Sequence, residues 1–373
     1  MTDDNSNNKN NTKSNLFRLL DITSSPNPLN HNAIIKEVQQ NPDSVKEMYS
    51  FSYSTSSSSE YHCYSLHQAI IRRANVDVVN ALHNSHPQAI HEKLKGLTVL
   101  HLAIRCNANP DVLSLIFRKW PEATKEKDAE GCMPLHLACR FNKQLEVVSM
   151  LLDGYPDASR KEDKSGMTPL HYVCIERNVP IEMVSLLLRS WPKDKYSRYT
   201  PLHFACLNNT RAEVISLLLE HWPDALKLYD RVGWRSTPLH YACKTNAPLK
   251  VILVLLEKWP EGVRDADSEL NTPLDYCRKA KGSAENEKVL SYVSRLRFHA
   301  VKDNELKVFG HFFAEINWWH GLSWVFDRYP SIVQDMDIGT AVLPHLLSLV
   351  GKCCNITTMW EMIINKQDIM AGI

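Results

Sequence analysis

A chain of 373 residues that is 44% apolar can bury a large core, which excludes global disorder. Its 43 Lys and Arg against 42 Asp and Glu leave a net charge of +1, which supplies no global field for drawing in nucleic acid or anionic lipid. No apolar run approaches the roughly 20 residues that cross a bilayer, so no membrane insertion is expected.

The first residues, Met-Thr-Asp-Asp and an Asn-rich run to about Asn15, lack a basic segment followed by an apolar one. They read as a disordered tail over residues 1–20 without a secretion signal, and the protein as soluble and intracellular, in cytoplasm or nucleus. In a reducing compartment the ten cysteines are better treated as small buried residues than as a disulfide scaffold. Residues 21–60 are expected to form an N-terminal helical cap, built on Ala33 to Val38 before Asn41-Pro42, and a flexible Ser-rich loop from Ser54 to Ser59.

A motif then recurs as Leu66-His67, Leu100-His101, Pro134-Leu135-His136, Pro169-Leu170-His171, Pro201-Leu202-His203 and Pro238-Leu239-His240. The histidines are spaced by 34, 35, 35, 32 and 37 residues, within the range of stacked repeats. A seventh copy, Thr272-Pro273-Leu274, carries Asp275 in place of His. Thr before Pro places a hydroxyl at the N-cap and a residue without an amide hydrogen at the first helical position, so a helix starts there. Leu202, Ala205 and Cys206 form a narrow stripe of mostly small side chains that lets helices approach closely. An Asn about six residues after the His, at 107, 142, 178 and 246, suits the left-handed turn that ends a short helix.

A second, nearly wholly apolar helix follows in each copy, as in Val147 to Leu152 or Val214 to Leu219, with Pro110, Pro180 and Pro248 near its start. Such a segment needs burial on several sides, which stacking in an array provides. It ends at His86-Pro87, Trp120-Pro121, Tyr155-Pro156, Trp191-Pro192, Trp222-Pro223 and Trp259-Pro260, because proline pushes the preceding residue out of the helical region.

Thr-Pro-Leu-His-x-Ala, the helix pair, and Asp-x-x-Gly at Asp128 to Gly131 and Asp163 to Gly166 resemble the ankyrin repeat over roughly Tyr61 to Lys281. Asn replaces the family's usual Gly between the helices, and Trp-Pro-Glu/Asp replaces its Gly-Ala-Asp ending, which marks a divergent subfamily. The resemblance implies an all-α ankyrin-repeat solenoid of stacked helix pairs with short β-turn fingers and helical caps, and a concave surface that binds proteins. Repeats are expected over 61–283, and degenerate helical repeats with a C-terminal cap over 284–373. That last reading rests on Val289, Leu290, Val293 and Leu296, on Trp324-Val325-Phe326 before Tyr329-Pro330, and on two helices between Val342 and Ile364.

His-x-x-Cys at His136/Cys139, His171/Cys174, His203/Cys206 and His240/Cys243 raises metal binding, since i and i+3 share a helix face. The family places a turn-stabilising His and a small buried residue at those positions, which favours packing over metal. Neighbouring helices about 8–10 Å apart also leave their cysteines beyond the roughly 7 Å that a disulfide spans. No cofactor is expected. Phosphate loops, nucleophile elbows and metalloprotease helices are missing, and Cys353-Cys354, a possible reactive pair, reads better as two helix-end residues.

The expected function is a non-catalytic scaffold or adaptor that binds partner proteins through the fingers and the concave face. The repeats differ most in length between Trp191 and Thr237, where Lys193, Lys195, Tyr196, Arg198, Tyr199, Arg231, Trp234 and Arg235 form an aromatic and basic cluster. Arg, Tyr and Trp are enriched at interface hot spots. A nucleic-acid ligand is the alternative, with the neutral net charge against it, and an enzyme with a reactive cysteine ranks below that.

Overall fold

The computed structural model describes residues 14–21, 28–52, 60–141, 143–176, 179–189, 191 and 198–328, and these fall into two compact units divided between Pro192 and Lys193. The expected C-terminal cap, Asn142, Asn178, the Ser-rich loop and Tyr329-Pro330 lie outside the described residues.

The first unit begins with α1 (Asn15–Leu20) and α2 (His31–Gln40), then a hairpin of β1 (Met48–Ser52) and β2 (Glu60–Tyr64). Residues 15–20, read from sequence as the end of a tail, thus form a helix. Ser14 caps it by accepting from the Phe17 amide, and Leu16, Phe17 and Leu20 are buried. The hairpin flanks the Ser-rich segment, and its Phe51 ring stacks on Phe17 at 5.1 Å. Helix pairs follow as α3 (Ser65–Ile71) with α4 (Val76–Ser85), α5 (Val99–Arg105) with α6 (Pro110–Lys119), α7 (Pro134–Arg140) with α8 (Leu145–Gly154), and α9 (Pro169–Ile175) with α10 (Ile181–Leu188).

The second unit continues the pattern with α11 (Pro201–Leu207) and α12 (Ala212–His221), α13 (Pro238–Lys244) and α14 (Leu249–Lys258), and α15 (Pro273–Lys279) and α16 (Ala284–Phe298). A last pair without the Thr-Pro-Leu motif comprises α17 (Asp303–Glu315) and α18 (Trp319–Arg328), and α18 rests on α16. Phe309, Phe313, Leu322, Val325 and Phe326 fill this end, and the Trp318 indole N–H donates to Glu257 at 2.9 Å.

Within each unit first helices stack on first helices, which is possible because the stripe between them is small: Ala103, Ala138, Cys139 and Cys174 in one unit, Ala205, Cys206, Ala242 and Cys243 in the other, all fully buried. Leu100, Leu135 and Leu170, and Leu202 and Leu239, run beside that stripe. Burying each leucine contributes roughly 1.5–3 kcal/mol of transfer free energy. The second helices end where aromatic-Pro predicts. Trp120, Tyr155, Trp222 and Trp259 adopt φ between −138° and −153° with ψ of 76–86°, and a 3-10 turn starts at each following proline. Those 3-10 turns had no counterpart in the motif reading. Pro110 is the first helical residue of α6, whereas Pro180 and Pro248 stand one step earlier, as N-caps. Asn107 and Asn246 take the left-handed φ of 56° and 50° foreseen for them.

The repeated histidine ties the framework together. The Nδ1 atoms of His136, His171, His203 and His240 accept backbone N–H groups of Met133, Thr168, Thr200 and Thr237 at 3.0–3.1 Å. Nδ1 therefore carries no proton, and Nε2–H is the donor. It reaches the carbonyl of the following finger: Lys161 from His136 at 2.9 Å, Ser236 from His203 at 3.2 Å and Asn271 from His240 at 3.2 Å. At the seventh copy Asp275 Oδ2 accepts from the Thr272 amide and hydroxyl at 2.9 and 2.7 Å, which satisfies the cap alone. α16 leads directly into α17 with no Asp-x-x-Gly finger between them, so the second half of the histidine's task has no object there.

Candidate functional site

The fingers are β-turns closed by an aspartate. Asp128 Oδ1 accepts from the amides of Glu130 and Cys132, and Asp163 Oδ1 from those of Ser165 and Met167, all at 2.8–2.9 Å. Gly131 and Gly166 hold φ of +79°, where a side chain is disfavoured. Tyrosines of the next first helix brace the turns: Tyr172 donates to Asp163 Oδ2 at 2.6 Å, Tyr241 to Asp230 at 3.1 Å and Tyr276 to Asp267 at 2.6 Å. Burial opposes ionisation of Asp163, yet these bonds outweigh it and keep its carboxyl below the ordinary range.

Fingers also bond to one another through the backbone. The Lys164 amide donates to Glu130 O at 3.0 Å in the first unit. In the second, Arg231 donates to Arg198 O and Ser268 to Trp234 O, both at 2.8 Å. Each finger tip is thus held by its neighbour, and side chains there project from a fixed backbone.

The finger from Asp230 to Ser236 departs from this rule in length. The Asp230 amide closes it by donating to Ser236 O at 2.9 Å, as the Asp128 amide does to Cys132 O in the shorter version, and the extra residues carry Gly233 and Trp234 to the tip. Trp234 is 51% exposed. Arg198, Arg231 and Arg235 are exposed as well, and the Arg235 guanidinium lies over the Tyr229 ring at 5.1 Å from its centroid. Tyr199 stands apart from this group. Half-buried, it meets His203, Phe204 and Tyr241 edge-on at 5.1–6.1 Å, so it supports the finger from beneath. Lys193, Lys195 and Tyr196 lie outside the described residues.

Leu270 escaped the motif reading. It occupies the place of glycine in Asp267-x-x-Leu270, takes φ of +64°, and is 83% exposed. A leucine there is strained by about 1–2 kcal/mol relative to the right-handed region, and its apolar surface gains nothing from the fold. The sequence signal was available: a large aliphatic where Asp128 and Asp163 are followed by Gly131 and Gly166. The Ser268–Trp234 backbone bond puts the Leu270 and Trp234 fingers side by side.

In three of the His-x-x-Cys pairs both ring nitrogens of the histidine, His136, His203 or His240, are engaged in the bonds above, which leaves neither for a metal. Burial pushes the thiols of Cys139, Cys174 and Cys243 well above their ordinary value, which suits packing more than nucleophilic or ligating roles. Among the described residues no group of three or more His, Cys, Asp or Glu is placed to hold a metal ion. Cys353 and Cys354 lie outside those residues. No helix among the described residues is long and apolar enough to cross a membrane.

Capped helix pairs with small stacked faces, bridging histidines and aspartate-closed fingers define an all-α repeat protein of the stacked helix-pair class. A family model of ankyrin repeats, a unit of three copies, matches residues 66–162 and 155–228, and this stretch of the chain belongs to the ankyrin-repeat family. A comparison with curated proteins returns no match. Ankyrin repeats are in general a protein-interaction domain.

Proposed function

We propose that the protein is a non-catalytic scaffold or adaptor that holds a partner protein on the fingers of its second unit. The observation that carries this reading is Trp234, a large aromatic left 51% exposed at the tip of a lengthened finger. Arg231 and Arg235 lie on the same finger, Arg198 stands on the adjoining segment through its backbone bond to Arg231, and Leu270 on the next finger adds an apolar side chain, a mixture typical of interface anchors. The cations favour a partner surface that is acidic around an apolar patch. We extend the same reading to the domain plan, with repeats over 61–283, a helical N-terminal cap, and degenerate repeats from 284 onward.

The test is affinity capture from the native cell with wild type, a Trp234→Ala/Arg198→Ala variant and Leu270→Gly. One specific class of protein is expected on the wild type and lost from the double variant. Leu270→Gly is expected to melt no lower than wild type, because glycine removes the left-handed strain, and yet to recover at least several-fold less partner. Equal recovery on all three proteins sinks the reading.

A further inference from the structure

On the first unit, away from the fingers, a groove of about 840 Å³ runs between the second helices α8 and α10. Its volume falls in the range of ligand-sized clefts. Half-buried Leu145, Met150, Ile181 and Leu186 form the walls, and Ser149 and Ser185 the floor. The Ser185 hydroxyl turns back onto Ile181 O at 3.0 Å and is satisfied within its own helix. Phe117 closes one end. A Cβ on Gly154 would stand 2.5 Å from its Cε2, so the glycine at the end of α8 is what lets that ring lie there.

The rim is acidic. Glu146, Asp153 and Glu182 line it against a single cation, Arg189. Glu146 and Glu182 each stand nine residues before the aromatic that ends or follows their helix, Tyr155 and Trp191. In the second unit the matching positions are Glu213 and Lys250, and those two pair across α12 and α14 at 2.6 Å. An acid at this place is the rule in the first turn of the second helices, where the helix dipole favours it: Asp77 in α4, Asp111 in α6, Glu146, Glu182 and Glu213, with Lys250 of α14 the exception. Asp153 is the acid that the dipole does not explain: it stands in the last turn of α8, where a cation is favoured and no basic residue is present.

We infer that this groove docks an amphipathic helix of a partner protein whose apolar stripe is flanked by Lys or Arg. Two parallel helices with an apolar trough between them offer the ridges and groove into which a third helix packs. The occupant's cations then supply the charge that Lys250 supplies in the second unit. The site is separate from the finger surface and does not rest on it.

The experiment uses the full chain and two synthetic 18-residue amphipathic peptides with the same leucine stripe, one with lysines on its flanks and one with glutamates, read by fluorescence anisotropy. The lysine peptide is expected to bind at least tenfold tighter than the glutamate peptide, with an affinity that falls as salt rises. Glu182→Lys copies the Glu213–Lys250 pairing, so it is expected to keep or raise the melting temperature while weakening the lysine peptide at least tenfold. Ser149→Trp, which fills the trough, should weaken it equally, and Trp234→Ala should leave it unchanged. Equal affinity for the two peptides, or indifference to both groove variants, overturns the inference. So does concentration-dependent self-association abolished by Glu182→Lys, which would give the groove to a second copy of the chain.

Discussion

His136→Ala is expected to destabilise the protein by about 3 kcal/mol, more than any surface change. The ring is fully buried, accepts the Met133 amide at 3.1 Å and donates to Lys161 O at 2.9 Å, so its loss opens a cavity, strands the buried Met133 amide and releases the Lys161 carbonyl. No Thr hydroxyl stands in reserve at this copy, because Met133 replaces the usual threonine at the cap. The Lys161 bond also ties α7 to the finger of the next repeat, so the damage is expected to spread along the stack by loosening one interface in a nearest-neighbour array. Chemical denaturation read by circular dichroism checks this, with His311→Ala, an exposed residue of α17, as the control expected to change stability by less than about 0.5 kcal/mol. A His136→Ala variant within 1 kcal/mol of wild type would remove the histidine from the framework.

Lowering the pH is expected to unfold the protein well before its carboxylates are protonated. Burial, only partly offset by the carbonyl bonds, holds His67, His101, His136 and His240 below their ordinary value, with His136 pushed down to about 4. In the unfolded chain these rings bind protons near the ordinary value of about 6.5, while in the folded chain they remain neutral. The stability they contribute is therefore complete above about pH 6.5 and is lost as the pH falls from there toward the folded value. For His136 alone the difference amounts to roughly 3 kcal/mol by pH 4. Melting temperature recorded from pH 8 to pH 4 is expected to stay level to about 6.5 and then fall steeply, with a shallower fall in His136→Gln. A flat profile down to pH 5 would mean that the rings carry protons in the folded state, contrary to the bonds made by Nδ1.

Local chemistry made the array legible from sequence. Thr200 at the cap, Pro201 behind it, the small stripe through Ala205 and Cys206, and Trp222-Pro223 at the end of the pair are each short-range signals, and the structure places a boundary or a contact at every one. What stayed hidden depends on neighbours far away in sequence. The bridge from His203 to Ser236 spans 33 residues and explains why Asp275 can replace histidine only where no finger follows. The helix α1 and the hairpin β1–β2 carry no repeat signature, and Phe17, Phe51 and Tyr61 form that end by packing on one another.

The finger cluster was legible in composition but not in arrangement. Arg231 and Trp234 were apparent as an aromatic and basic run in a lengthened finger. That Tyr199 props the finger from below, and that Leu270 stands exposed beside Trp234, required the backbone bonds between fingers. The groove between α8 and α10 could not be read from one repeat at all. It emerges when Glu146 and Glu182 are set against Glu213 and Lys250.

Replacing Trp234 by a photo-crosslinking amino acid in the native cell tests the central claim most directly, because the reagent reaches only what touches the finger tip. A discrete covalent adduct with one protein is predicted, lost when Arg198 and Arg231 are changed to alanine. Crosslinks only to nucleic acid, or none beyond those given by the same reagent at exposed Lys119, would contradict the account.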